Sequence, residues 1–255
     1  MSTAALDTVI IPAAGLGTRV KQLTGAGFKE ALRVHDRTLL EWALHDAERS
    51  QVARAIIVLS PAKLALAEQL GTRRGQLVID YAWQSQPRGL AHALLLGYRL
   101  APAPAVIAYL PDNVALAGEP ICAQLRAAYQ RFPGYVLGLL RIARSELVRF
   151  GSAGFVDSQP IDADHVRITR IHDKQSFVAE EPVVLKGFPA SVFPRAFFDR
   201  AQALCTREHL GEIDDTPIIQ EAARAGAAIG RVLHTTVFDC GRPEGFAAAL
   251  AHRLA

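Results

Sequence analysis

Behind a run of β-branched residues, the stretch VIIPAAGLGTRV, Val9 to Val20, brings Gly15, Gly17 and Arg19 close together. Glycines in such a turn let backbone N–H groups close on an anion, and a cation just beyond completes the cradle, so the chemistry suggested is phosphate binding. A P-loop would need Gly-Lys-Ser/Thr after four intervening residues, which is absent. A dinucleotide-binding fold would want a third glycine where Val20 stands and an acidic residue near the end of the next strand, where the chain has Ser60-Pro61. What remains is a loop that grips a nucleoside triphosphate with backbone amides, Arg19 and one further cation. Lys29, in GFKEAL, is placed to be that cation if the intervening segment folds back as a lid. Taken singly, it reads more readily as a solvated surface lysine.

Two carboxylates complete the set of reactive residues. Asp112, in AYLPDNV, ends an apolar run, and Asp239, in VFDCGRPEGF, ends another just before Gly241 and a proline-initiated helix. Each has a plainer reading, a turn residue for Asp112 and a helix cap or turn for Asp239. If both converge on the phosphate cradle, they suit Mg²⁺, which takes one or two carboxylates together with substrate phosphates.

The elements that must position these residues follow from the hydrophobic pattern. Strand-like runs at Thr8 to Pro12, AIIVLS ending at Ser60, Leu77 to Ala82 and AVIAYL ending at Leu110 alternate with helical patterns. The helical stretches are Leu39 to Ala53, a helix after Pro61, and Leu90 to Leu100. This βαβ alternation predicts an α/β fold with a mostly parallel sheet and helices on both faces. YVLGLLRI and the runs around GSAGFV and HVRITRI, joined by the turn-rich DSQPIDAD, predict a less regular antiparallel C-terminal part. No repeat or linker interrupts the chain, so residues 1–255 are read as one domain. At 255 residues and 50% hydrophobic the chain can bury a full core, and 28 basic against 25 acidic residues form no stripe for nucleic acid. Cys122, Cys205 and Cys240 have no metal-like spacing. They point to free thiols, and with no leader or membrane span in the sequence the expectation is a cytoplasmic protein with no membrane partner.

In order along the chain, PAAGLGTR, FKEAL, QSQPRGLAHAL, LPDN, FGSAGFV, HDKQ, KGFPASVF, GEIDDT and DCGRPEGF resemble the sugar-1-phosphate nucleotidyltransferases. Within them the chain is most similar to the bacterial UTP:glucose-1-phosphate uridylyltransferases. The resemblance runs from Val9 to about Ala249 and implies the Rossmann-like nucleotidyltransferase fold. It also implies a Mg²⁺-dependent transfer from an NTP, UTP first, to a sugar-1-phosphate, releasing pyrophosphate. Ala14, Gly15, Gly17, Thr18 and Arg19 would hold the triphosphate with Lys29 beside it. Gln84 and Gly89 match positions that read the pyrimidine edge, and Asp112 and Asp239 match the magnesium ligands. Gly151 matches a backbone contact to the sugar, Asp173-Lys174 stands where the family has Glu-Lys, Lys174 would take the sugar phosphate, and Gly187 lies beneath the sugar.

Several residues depart from that pattern. Gln175 follows Lys174 where the family has Pro, Asp173 is one methylene shorter than the family's Glu, and Phe28 and Arg33 replace prolines around the lid lysine. These departures bear on the sugar first, so a thymidylyltransferase, an enzyme for an unusual sugar or cyclitol phosphate, and a silent nucleotide-sugar sensor stay as rival readings, and a homo-oligomer stays open. A phosphate monoester, with its second pKa near about 6, is already a dianion and needs no general base. The eight histidines are accordingly left out of catalysis, with His92 read as structural.

Overall fold

The computed structural model of the protein describes residues 6–25, 27–150, 154–172, 181–206 and 211–254. Up to the middle of the chain the strands are β1 (Thr8–Pro12), β2 (Arg33–Val34), β3 (Arg37–Thr38), β4 (Arg54–Leu59), β5 (Arg73–Arg74), β6 (Leu77–Trp83), β7 (Ala105–Tyr109) and β8 (Asn113–Gly118). Between them lie α1 (Lys21–Thr24), α2 (Leu39–Arg49), α3 (Leu64–Leu70), α4 (Leu90–Leu100) and α5 (Ile121–Arg131). There follow β9 (Tyr135–Ala143), β10 (Val156–Pro160), β11 (His165–Ile171), β12 (Val183–Pro194), α6 (Arg195–Thr206), α7 (Thr216–Arg224), β13 (Ala228–Val232), β14 (Thr235–Asp239) and α8 (Pro243–Ala251).

Ten strands form one sheet in the order β10-β11-β13-β9-β12-β7-β1-β4-β6-β5. β7, β1, β4 and β6 run parallel, so their carboxyl ends share one rim. The second half enters through β12, antiparallel to both β7 and β9, as the C-terminal pattern suggested. β8 and β14 stand apart as an antiparallel pair.

The inner parallel strands β1, β4 and β7 are almost entirely apolar because both their faces are covered. Along β1, Val9 and Ile11 pack with Leu44, Ile57 and Leu125 on one face, while Ile10 packs with Val58, Leu94 and Phe193 on the other. α4 comes so close to β1 that a Cβ on Gly97 would stand 2.7 Å from Ile10 Cγ2. A capping box starts α2: Thr38 N–H donates to Glu41 Oε2 at 2.8 Å and Glu41 N–H donates to Thr38 Oγ1 at 3.2 Å.

Two boundaries differ from the sequence reading. α2 stops at Arg49, short of Ala53, because Gln51 adopts a positive φ of 54° and turns the chain into β4. β10 takes in Asp157–Pro160, expected as turn, and leaves only 161–164 to reverse the chain. It pairs with β11 alone, and an edge strand tolerates polar residues and proline that a central one would not.

α2 also fixes its neighbour. The buried Asp46 carboxylate accepts the N–H groups of Ile121 at 2.7 Å and Cys122 at 3.0 Å, closing the start of α5 from outside. Burial pushes this carboxyl above its usual range despite both donors. Asp46→Ala should therefore lose about 2 to 4 kcal/mol of stability, since two buried N–H groups lose their partner. Thermal unfolding reads this directly, and an unchanged Tm would contradict the capping role.

Candidate active site

Of the described residues singled out in the sequence, the glycine loop, Gln84 and Asp112 follow the carboxyl ends of β1, β6 and β7, where open α/β sheets bind ligands, and Asp239 ends β14. After β1, Gly17 turns the chain at φ 65°, and a Cβ there would stand 3.2 Å from Lys29 Cβ. Glycine thus permits both the left-handed turn and the packing of the Lys29 stem against the loop. Gly15, Thr18 and Arg19 are exposed on this loop, whereas Ala14 is buried beneath it.

Lys29 reaches across to the end of β7, where its Nζ lies 2.8 Å from Asp112 Oδ2. Burial alone would raise the Asp112 carboxyl, but the charge and hydrogen bond of Lys29, with Arg19 adding to them, hold it below the ordinary carboxylate range. Burial likewise opposes the charge on Lys29, and Asp112 outweighs it to raise the amine. Lys29 is therefore part of the site and not a solvated surface lysine.

Asp112 and Asp239, distant in sequence, are joined by the β8–β14 ladder, whose register sets Asp239 opposite Asn113. Asn113 Nδ2 donates to Asp112 Oδ1 at 3.0 Å, Cys240 N–H to the Asp112 carbonyl at 2.8 Å, and Gly241 N–H to Asp239 Oδ1 at 3.1 Å. A Cβ on Gly241 would meet Asp112 Oδ2 at 2.8 Å and Asp239 Oδ1 at 3.1 Å. Both carboxylates thus converge on space that only glycine leaves clear. Two converging hard oxygen donors beside a phosphate-type loop fit Mg²⁺. Asp239 does not cap the following helix, whose N-cap is Arg242.

At the end of β6, the buried Gln84 donates through Nε2 to the Gly89 carbonyl at 3.2 Å and to His92 Nδ1 at 2.9 Å. Gly89 opens α4 at φ 89°, and a Cβ on it would stand 2.5 Å from the Ile213 carbonyl oxygen. Beside it lies a cavity of about 110 Å³, bounded by Leu90, Leu110, Gly154, Gly187 and the Asp215-Thr216 start of α7. Its lining is mainly apolar, and burial with the neighbouring Asp214 carboxylate pushes Asp215 up to about 8. Gly187 N–H donates to the Gly154 carbonyl at 2.7 Å. Gly151, Asp173 and Lys174 lie outside the described residues.

Three charged residues at this rim were not found in the sequence. Lys63, just past β4, is buried and donates to the carbonyls of Ala13 at 2.6 Å and Gly15 at 2.7 Å and to Glu30 Oε2 at 2.7 Å. It ties the glycine loop to the neighbour of Lys29. The available signal was a lone lysine, in SPAKL, where a parallel strand reaches the rim. Lys186 on β12 is the third: burial brings its amine down to about 8, against the field of Asp239 and with those of Arg19 and Arg242.

Lys63→Met should cost about 3 to 5 kcal/mol, because it leaves Glu30 as a buried unpaired carboxylate. Adding Glu30→Gln should recover much of that stability but not the nucleotide affinity, since the Ala13 and Gly15 carbonyls still lack their donor. Thermal unfolding with nucleotide titration of the single and double variants separates the two effects; normal affinity in the double variant would refute the loop-holding role.

The chain is similar to known proteins along most of its length. A UTP–glucose-1-phosphate uridylyltransferase of Pseudomonas aeruginosa is 24% identical over 261 residues, covering 93% of this chain and 92% of its own. One of Bacillus subtilis is 26% identical over 263 residues, covering 93% and 87%. A structure of a UDP-glucose pyrophosphorylase complexed with UDP-glucose, 21% identical, shares the fold with a TM-score of 0.81 over 96% of this chain and 97% of that one. The family model described as nucleotidyl transferase matches residues 8–187, and the chain belongs to that family.

Proposed function

We propose that the protein is a sugar-1-phosphate nucleotidyltransferase that joins UTP to a sugar-1-phosphate, glucose 1-phosphate first among candidates, and releases pyrophosphate. The observation that carries this reading is the convergence of Asp112 and Asp239 at Gly241, next to Lys29 and the glycine loop. The names of the related enzymes from Pseudomonas aeruginosa and Bacillus subtilis support it. A silent sensor would need no such convergence of carboxylates beside the cations.

The chemistry is attack by a phosphate oxygen of the sugar phosphate on the α-phosphorus of UTP, breaking its bond to the β-phosphate. The dianionic nucleophile has no proton to lose, so no side chain acts as base. The barrier lies in bringing two anions together in line, and it is lowered by alignment and charge neutralisation. Backbone amides of the Ala14–Thr18 loop cradle the triphosphate, while Arg19 and Lys29 stabilise the charge gathering on the leaving pyrophosphate. Asp112 and Asp239 would hold Mg²⁺, which when bound would supply positive charge to offset that of the phosphates. The sugar ring occupies the cavity beside Gly187, with Gly151, Asp173 and Lys174 assigned to the sugar and its phosphate from family resemblance alone. No described helix is long and apolar enough to cross a membrane, and three free cysteines suit a reducing, cytoplasmic setting.

Pyrophosphate release measured with four NTPs and dTTP against a panel of sugar-1-phosphates tests the reading. Activity should require UTP or dTTP and disappear in excess EDTA, and Asp112→Asn and Asp239→Asn should each lower kcat by at least about a hundredfold. Preference for a purine nucleotide, or full activity in either variant, would overturn it.

A further inference from the structure

The Gln84 amide has a fixed orientation. A carbonyl oxygen can only accept, so the atom of Gln84 facing the Gly89 carbonyl must be the NH₂ group. That group also faces His92 Nδ1, and its two hydrogens are thereby both engaged. Burial, then the charges of Arg88 and Arg99, hold the His92 imidazole below its ordinary value, consistent with a neutral ring accepting at Nδ1. Among the described residues no group donates to Gln84 Oε1.

We infer that His92 is a positioning residue for base selection: it and Gly89 hold the Gln84 amide so that Oε1 alone is offered to the nucleotide base. This rests on the reading of Gln84 as the base contact. An acceptor fixed at this point pairs with the ring N–H that uracil and thymine carry at N3. Cytosine has a lone pair there, so CTP, of nearly the same shape, meets acceptor against acceptor. Gln84 could serve both bases only by turning over, which would set its oxygen against the Gly89 carbonyl and would require His92 to move its proton to Nδ1.

The test compares kcat/KM for UTP and CTP in the wild type, His92→Leu and His92→Gln, with thermal unfolding of each. His92→Leu removes the acceptor, so the UTP preference over CTP should fall about tenfold or more while the KM for glucose 1-phosphate stays within about twofold. His92→Gln can keep an acceptor there and should retain most of the preference. If His92→Leu fails to fold, His92→Lys, which offers only donors, serves instead and should lose the preference as well. An unchanged UTP-to-CTP ratio in the folded Leu or Lys variant would overturn the inference, as would an equal change in the KM for glucose 1-phosphate. Calorimetric titration of the wild type with UTP and CTP separates this inference from the proposed reaction. Selective UTP binding without transfer to any sugar phosphate would sink the reaction and leave the inference standing, whereas equal binding of both nucleotides would sink the inference.

Discussion

The rim depends on one buried ammonium, that of Lys63. Its bonds to the Ala13 and Gly15 carbonyls turn those oxygens inward, and its ion pair with Glu30 anchors the segment that carries Lys29. From there opposite charges pair across the strand ends, Lys63 with Glu30 and Lys29 with Asp112, and the β8–β14 ladder brings the second carboxylate, Asp239, beside Asp112. Burial in low dielectric strengthens both ion pairs and makes each costly to break singly. A loop that would otherwise be a flexible glycine turn is thereby fixed in the protein's own framework.

Preorganisation of this kind suits a reaction whose difficulty is electrostatic. Two phosphorylated substrates repel each other, and no covalent step by the protein is needed once they are aligned. The site accordingly holds cations, converging carboxylates and backbone amides, and several described histidines are hydrogen-bonded to other partners: His92 to Gln84, His165 to Asp162, and His234 to Asp164. The side proposed to select base and sugar is built differently, from the buried amide of Gln84 and a mainly apolar cavity beside Gly187.

What could be read from the sequence was what local pattern encodes. β1 and α4 stand where the apolar runs placed them, and the Gly17 turn and the strand-end Asp112 and Asp239 stood out because their neighbours are apolar. What escaped depends on contacts between distant segments. Lys63 meets Glu30 only after β4 comes beside β1, and Lys186 reaches the field of Asp239 only after β12 enters the sheet. Similarly, Asp157–Pro160 of β10 reads as turn because its residues are mostly polar, and only its place at the sheet edge makes that composition acceptable for a strand. His92 has a structural place by helical periodicity, and only the fold puts it 2.9 Å from Gln84.

The central claim is that a sugar-phosphate oxygen attacks the α-phosphorus of UTP and pyrophosphate leaves. Oxygen-18 placed in the phosphate of glucose 1-phosphate and followed by phosphorus NMR during turnover with UTP tests it most directly. The account predicts that the label stays in the UDP-sugar, including the oxygen bridging its two phosphorus atoms, and that the pyrophosphate released is unlabelled. Label in the pyrophosphate, or UDP and orthophosphate as products, would contradict it.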